Sequence, residues 1–321
     1  MFYPELDKDD SLALHTDLYE INMMYTYFKK GIADRNAVFE VFYRKEPFGN
    51  GYAVYAGLEH VIDYLKNLKF KESDLQYLKE QEGYDDDFID YLRNLDLKLS
   101  IRSMKEGELI FANEPILQVE GPLAQCQLVE TAILNIINFQ TLLATKAARI
   151  KLAVKDDGLM EFGSRRAQET DAAIWGARAA YIGGFDSTSN VRAGKLFGIP
   201  ISGTHAHSLV EAFGSEYEAF KAYAETHKDC VFLVDTYDTV RSGVPNAIKV
   251  ANEMGDKINF LGVRIDSGDM AYISKQVRKE LDDAGYPNAK IFASNDLDEN
   301  TITNLKMQGA KIDVWCIGTK F

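Results

Sequence analysis

The feature that most constrains this chain is a change of rhythm near residue 155. From there on, short apolar runs alternate with helix-forming runs at a spacing of ~20–30 residues, the pattern of repeated β/α units. The strand candidates are Leu159–Phe162, Tyr181–Phe185, Ile199–Gly203, Val231–Val234, Phe260–Ile265, Lys290–Ala293 and Val314–Ile317. Seven such strands predict a parallel sheet closing toward a barrel. The helix after the fifth is the plainest, with Ile273, Val277 and Leu281 on one face and Gly285 as its stop. In parallel α/β sheets ligands bind at the carboxyl ends of strands, where loops carry polar groups without burying unpaired backbone.

The first part of the chain has another texture. Ser11–Lys30 predicts an amphipathic helix: Asp17 and Glu20 have capping-box spacing, Leu18, Ile21, Tyr25 and Phe28 share a face, and Gly31 ends it. The runs VFEVFYRK and GYAVYAGL flank a turn at Pro47 and Gly49–Asn50–Gly51, which predicts a hairpin with Arg44 at its open end. Helices follow near Leu58–Leu68, Glu72–Glu82 and Asp86–Leu95. The run Asp85–Asp86–Asp87 reads as a helix start meeting the N-terminal dipole rather than as a metal site. Residues 98–120 turn β-like again, and Pro122 opens a helix reaching about Ile150. The expected division is an α+β domain over residues 1–125 and an α/β barrel domain over 126–321.

Charge and cysteines remove several function classes. A formal net charge of −13 argues against a nucleic-acid partner, which requires clustered Lys and Arg. It leaves room for a small anionic substrate held by a few arginines. Cys126, Cys230 and Cys316 lie far apart with no CxxC spacing, so neither a disulfide framework nor a zinc site is indicated. The acidic start MFYPELDKDD is unlike a signal peptide. The most apolar helical stretch, Thr131–Ala148, is interrupted by Asn135, Asn138, Gln140 and Lys146, which no lipid-facing span would carry. A soluble, cytoplasmic protein with no membrane partner is expected.

The strand ends carry the chemistry: FGSRR, FDSTSN, GTHAHS, DTYDT, RIDSGD, SND and GT. Singly, each has a plain structural reading. Asp or Ser after a strand is commonly a helix N-cap, which covers Asp235, Ser267, Asp269 and Asp296, and Asp296 has capping-box spacing to Glu299. A lone histidine there is more often structural than catalytic. One rim carrying Arg165, His207, Asp235, Arg264 and Asp266 together is harder to assign to capping, because converging charges without a ligand is costly. Glycine and hydroxyl turns such as Gly183–Gly184 and Gly318–Thr319 can present N–H groups to phosphate. Paired aspartates can hold Mg²⁺ beside a diphosphate or accept ribose hydroxyls, and a histidine can take a phosphoryl group or move a proton. A phosphorylated sugar is the substrate class that these residue types suit.

Six motifs in order, TDLYE at 16–20, EFGSRR at 161–166, GGFDSTSN at 183–190, GTHAHS at 203–208, VDTYDT at 234–239 and VRIDSGD at 263–269, together resemble nicotinate phosphoribosyltransferase. The resemblance covers essentially the whole chain. It implies a type II phosphoribosyltransferase: an irregular α/β barrel of seven-stranded type beside an N-terminal α+β domain, working as a homodimer with shared active sites. The implied reaction joins nicotinate to 5-phosphoribosyl-1-diphosphate, giving nicotinate mononucleotide for NAD salvage, with Mg²⁺ as cofactor and ATP as co-substrate.

Carried over by motif, His207 falls where the family bears its phosphohistidine. Phe162 would stack on the pyridine ring, with Tyr19 of the partner subunit on the other face. Arg165 and Arg264 would face the nicotinate carboxylate or a phosphate. Asp235 and Asp266 would hold ribose hydroxyls and Mg²⁺-diphosphate, and Arg44 of the partner subunit would reach a phosphate. Thr204, Gly318 and Thr319 fall among the substrate-binding turns. Ser189 suits an acid, since nicotinamide-using relatives are expected to carry an aspartate there, and quinolinate enzymes would need more cationic groups. Family members normally continue past Gly318–Thr319, so the resemblance also implies a C-terminally shortened form. The alternatives are a catalytically impaired fragment, a non-catalytic binding remnant, or a nicotinamide- or quinolinate-type transferase.

Overall fold

The computed structural model describes residues 11–321; the acidic start, residues 1–10, lies outside the described residues. Two compact units divide at Thr145 and Lys146, twenty residues beyond the boundary expected from sequence.

In the first unit, α1 (Leu18–Lys29) is followed by β1 (Asn36–Val41), β2 (Ala53–Val54), α2 (Leu58–Asn67), α3 (Glu72–Glu82) and α4 (Asp86–Arg93). Then come β3 (Ser100–Ser103), β4 (Leu109–Ile110), β5 (Leu117–Pro122), α5 (Leu123–Leu128) and α6 (Glu130–Val154). The expected hairpin does not form. β1 pairs antiparallel with β5, and β2 with β4. These distant partners let Val41, Leu117 and Val119 bury in one core with Phe88, Leu75 and Ile133, which a local hairpin would not. Asp85 does cap α4, accepting from the Phe88 N–H. Asp17 makes no cap. Glu20 instead turns inward and accepts from Thr16 and from both the N–H and hydroxyl of Thr131.

The expected single helix from Pro122 is two, because the run breaks at Val129. The division also explains the shifted unit boundary. Ala132, Ile133, Ile136 and Ile137 of α6 belong to the first unit's core, whereas Ala147, Ile150 and Val154 belong to the second's. Composition alone does not show where one helix changes cores.

The second unit is α/β. Its strands are β6 (Gly158–Glu161), β7 (Ser187–Thr188), β8 (Asp229–Leu233), β9 (Asn259–Ile265), β10 (Lys290–Ala293) and β11 (Val314–Ile317). All pair in parallel, in the order β7-β6-β11-β10-β9-β8, as a sheet curled into part of a barrel. Between them run α7 (Glu169–Ile182), α8 (Val191–Phe197), α9 (His207–Phe213), α10 (Glu216–Thr226), α11 (Val244–Met254), α12 (Met270–Asp283) and α13 (Glu299–Met307).

The strand period of two separates two layers. Leu159, Phe232, Val263, Ile291, Trp315 and Ile317 face the helices, meeting Val250, Val277, Leu281 and Ile302. Met160, Phe162, Val231, Phe292, Val314 and Cys316 form a second cluster on the opposite, inner face. Fully burying a side chain such as Leu159, Phe232 or Ile291 is worth roughly 1.5–3 kcal/mol.

Two strand expectations fail for local reasons. Tyr181–Phe185 is not a strand, since the alanine-rich α7 propagates through Ile182 and stops at Gly183 and at Gly184, whose φ is +106°. Ile199–Gly203 is reduced to one bridge, Ile201 beside Thr188. Pro200 has no N–H to give a ladder. The seventh position of the arc is therefore a single residue. Asp296 is not a cap either: Asp298 accepts from the Thr301 N–H, while Glu299 pairs with Lys146 and Arg149.

Candidate active site

The parallel strands end on one rim, and the residues expected there divide by how they are held. His207 is the first residue of α9. Its Nδ1 lies 3.1 Å from the Thr236 hydroxyl, and its Nε2 lies 3.5 Å from Asp266 Oδ2 and 4.0 Å from Asp235 Oδ1. With Nδ1 engaged, Nε2 is the nitrogen turned to the carboxylates. Asp235 follows β8 and is not a helix cap: its Oδ2 accepts from the Asp266 N–H at 2.9 Å and the Ser267 hydroxyl at 2.5 Å. Its Oδ1 is buried without a hydrogen-bond partner, an arrangement that costs free energy unless something binds there.

Asp266 accepts from the Ser294 hydroxyl. Arg264 lies in β9 with its Nη1 3.0 Å from Ser294 Oγ and 3.8 Å from Asp266 Oδ1, and its Nη2 donates to the His205 carbonyl at 2.8 Å. It sits on the inner face because Val263 and Ile265 take the helix-facing positions. Asp269, by contrast, is a cap, accepting from the Tyr272 N–H.

A second group surrounds the end of β6. The Phe162 N–H donates to the Ile317 carbonyl at 2.6 Å, and a side chain at Gly318 would press on the Phe162 carbonyl. The Ser189 N–H donates to the Glu161 carbonyl at 2.9 Å, which brings the FDSTSN turn to the same strand end. Arg165 and Thr319 are exposed on the loops beyond, and Thr204 donates to the His205 carbonyl at 3.1 Å.

Tyr19 and Arg44 belong to the first unit. The Tyr19 hydroxyl donates to Glu130 at 3.0 Å, and burial together with Glu130 and Glu20 pushes its pKa up to about 12. Tyr19 lines a cavity of about 510 Å³ with Asp17, Lys45 and Asn135, and Arg44 lines one of about 400 Å³ with Phe42 and Leu134.

Sequence reasoning passed over three residues. His205 is buried, packs against Phe220, Tyr223 and Phe232, and accepts the Leu233 N–H on Nε2 at 3.1 Å. Burial, helped by the Arg264 charge, pushes its pKa down to about 4, so it is neutral. It gives a partner to an amide at the end of β8, the edge strand of the sheet. Glu161 is buried, accepts from the Thr188 hydroxyl and the Gly163 N–H, and has its pKa raised by desolvation. Glu216 is buried at the start of α10. For Glu161 the available signal was a charged residue inside the predicted strand Leu159–Phe162.

Among the described residues no cluster of three or more metal-ligating side chains occurs, and no helix is long and apolar enough to cross a membrane. The Asp235 and Asp266 pair nevertheless suits a hard divalent cation of the Mg²⁺ type, which takes one or two carboxylates and leaves other positions to substrate oxygens.

Residues 158–319 match the family model described as the nicotinate phosphoribosyltransferase (NAPRTase) family, and residues 14–138 match the nicotinate phosphoribosyltransferase N-terminal domain. The chain is 66% identical to nicotinate phosphoribosyltransferase of Bacillus subtilis over 313 residues, covering 98% of this chain and 64% of that protein. It thus spans a little under two thirds of that relative. The crystal structure of human nicotinic acid phosphoribosyltransferase superposes with a TM-score of 0.87 at 32% identity, over 94% of this chain and 72% of that one. Nicotinate-nucleotide pyrophosphorylase from Pyrococcus furiosus gives a TM-score of 0.79 at 26% identity, over 99% and 74%.

Proposed function

Because the chain belongs to the nicotinate phosphoribosyltransferase family, we propose that it transfers the phosphoribosyl group of 5-phosphoribosyl-1-diphosphate to nicotinate for NAD salvage. The pyridine nitrogen forms a bond to C1 of the ribose as the C1–O bond breaks, and diphosphate leaves. The observation that carries the reading is the grouping of His207, Asp235 and Asp266 at the carboxyl ends of parallel strands, with Thr236 on His207 Nδ1.

The transition state of such a transfer is oxocarbenium-like, so catalysis comes mainly from positioning and from neutralising the leaving group. Phe162 gives the pyridine ring a stacking face, and Arg165 and Arg264 give cationic partners for carboxylate and phosphate. Ser189 is neutral where an aspartate would repel a carboxylate, which favours nicotinate over nicotinamide. Thr204, Gly318 and Thr319 supply the turns that meet phosphate oxygens. Asp235 and Asp266 would hold Mg²⁺, which neutralises diphosphate charge when bound.

ATP is the proposed co-substrate, giving its γ-phosphoryl group to His207 Nε2 with release of ADP, since Nδ1 is occupied by Thr236. The added charge would reshape the anion-binding rim and couple ATP hydrolysis to the transfer. Tyr19 and Arg44 are proposed to act on the site of a second copy in a homodimer, in the cytoplasm.

The test is nicotinate mononucleotide formation with Mg²⁺, with and without ATP, by the wild type and by His207→Asn. The wild type should be stimulated by ATP, and the variant should retain only slow, ATP-independent transfer. Unchanged ATP stimulation in His207→Asn would refute the role of His207, and no product from the folded wild type would refute the activity.

A further inference from the structure

Two stretches of the second unit run side by side and are joined by side chains in the same order. The Leu233 N–H donates to His205, the Thr236 hydroxyl meets His207 Nδ1, and the Ser242 hydroxyl donates to Glu216 Oε2. The middle rung is the candidate catalytic histidine, and it is the exposed one: the His207 side chain is 39% exposed, whereas His205 and Glu216 are buried. His207 opens α9, seven residues long, and Glu216 opens the next helix directly after it.

The far stretch is equally constrained. A π-helical turn, Thr239–Gly243, follows the loop carrying Asp235 and Thr236, and π-turns of this kind recur at functional sites. A Cβ at Gly243 would collide with the Val234 carbonyl, so the loop closes on its own starting strand. Ser242 is the residue just before that closure. Asn246 adds a longer contact to Glu216 Oε2, at 3.5 Å, and one to Ser242 at 3.4 Å.

Glu216 Oε1 has no hydrogen-bond partner although it is buried. A carboxylate buried with one oxygen unsatisfied is a poor choice for packing alone, and such exceptions call for a reason. The other oxygen, Oε2, carries the contacts to Ser242 and Asn246 that tie the two stretches together. We propose that Glu216 is a positioning residue: by gripping Ser242 it locks the Asp235–Thr236 loop to the α9–α10 segment and thereby fixes the ring orientation of His207 against Asp235 and Asp266. The inference rests on the proposed role of His207, but its own geometry can be read without turnover.

The experiment records long-range ¹H–¹⁵N spectra of the histidine rings in the 321-residue chain, with His207 assigned by its loss in His207→Asn. In the wild type, Nδ1 and Nε2 of His207 should appear as one fixed tautomer. In Glu216→Ala the pair should broaden and average, while Glu216→Gln, which keeps an acceptor for Ser242, should resemble the wild type. Ser242→Ala removes the same rung from the other side and should reproduce the alanine result, including where Glu216→Ala itself does not fold.

In the transfer assay Glu216→Ala should lower kcat about tenfold or more with little change in KM for nicotinate, because a misplaced catalytic group costs rate rather than binding. His207 ring signals identical to wild type in folded Ser242→Ala or Glu216→Ala would overturn the positioning role. An inactive wild type would count against the proposed function and leave the ring spectra to decide this inference.

Discussion

Acidification should weaken the second unit through one histidine. His205 has an ordinary value near 6.5 and a folded value of about 4, set chiefly by burial. Between those values the unfolded chain binds a proton that the folded chain refuses, so stability is fully present above pH 6.5 and is lost as pH falls toward 4. At pH 5 the linkage is worth about 2 kcal/mol, against about 0.2 kcal/mol at pH 7, from one pKa unit being ~1.4 kcal/mol. The physical event is the loss of the acceptor lone pair that holds the Leu233 N–H.

Urea unfolding followed by tryptophan fluorescence reads this unit, because Trp175 and Trp315 both lie in it. From pH 7 to pH 5 the wild-type midpoint should fall by roughly 1 M, given m-values of ~1–3 kcal/mol/M. His205→Gln, whose carbonyl oxygen can accept the same N–H without titrating, should lose most of that shift. Equal pH dependence in wild type and His205→Gln would refute the argument that burial of this imidazole controls acid stability.

Other perturbations follow from the same contacts. Glu161 has its pKa raised by desolvation, so the burden of its charge grows as pH rises from its unfolded pKa through its folded one. Glu161→Gln should therefore match or exceed wild-type stability at pH 7, whereas Glu161→Ala should lose about 1–3 kcal/mol by leaving the buried Gly163 N–H unpaired; denaturant melts of both compare them directly. Gly243→Ala should cost more than about 3 kcal/mol, because the Val234 carbonyl occupies the space a Cβ needs and the strand end cannot withdraw. A near-native melting temperature in that variant would show that the loop relaxes freely.

The parts that sequence made legible were those with local causes. Short apolar runs between helical runs gave β6, β8, β9, β10 and β11 to within two residues, and capping chemistry placed the starts of α4 and α12 at Asp85 and Asp269. The failures share a feature. Tyr181–Phe185 has strand-like residues, but the preceding alanine run carries the helix through Ile182. The 36–56 segment has hairpin punctuation, yet β1 and β2 find partners more than fifty residues away.

For the site, sequence alone determined which chemical groups stand at strand ends, since a strand's direction and period fix where its last side chain points. Asp235, Arg264 and Asp266, at or just past the ends of β8 and β9, were identifiable for that reason, whereas His207 opens α9 beyond an expected strand that is reduced to one bridge. Only the tertiary structure decided what holds them. The acceptor role of His205, the inward turn of Glu161 and the Glu216 rung depend on atoms roughly 25 to 30 residues away in the chain. Burial, which sets their protonation and their cost, is a property of packing that local pattern does not contain.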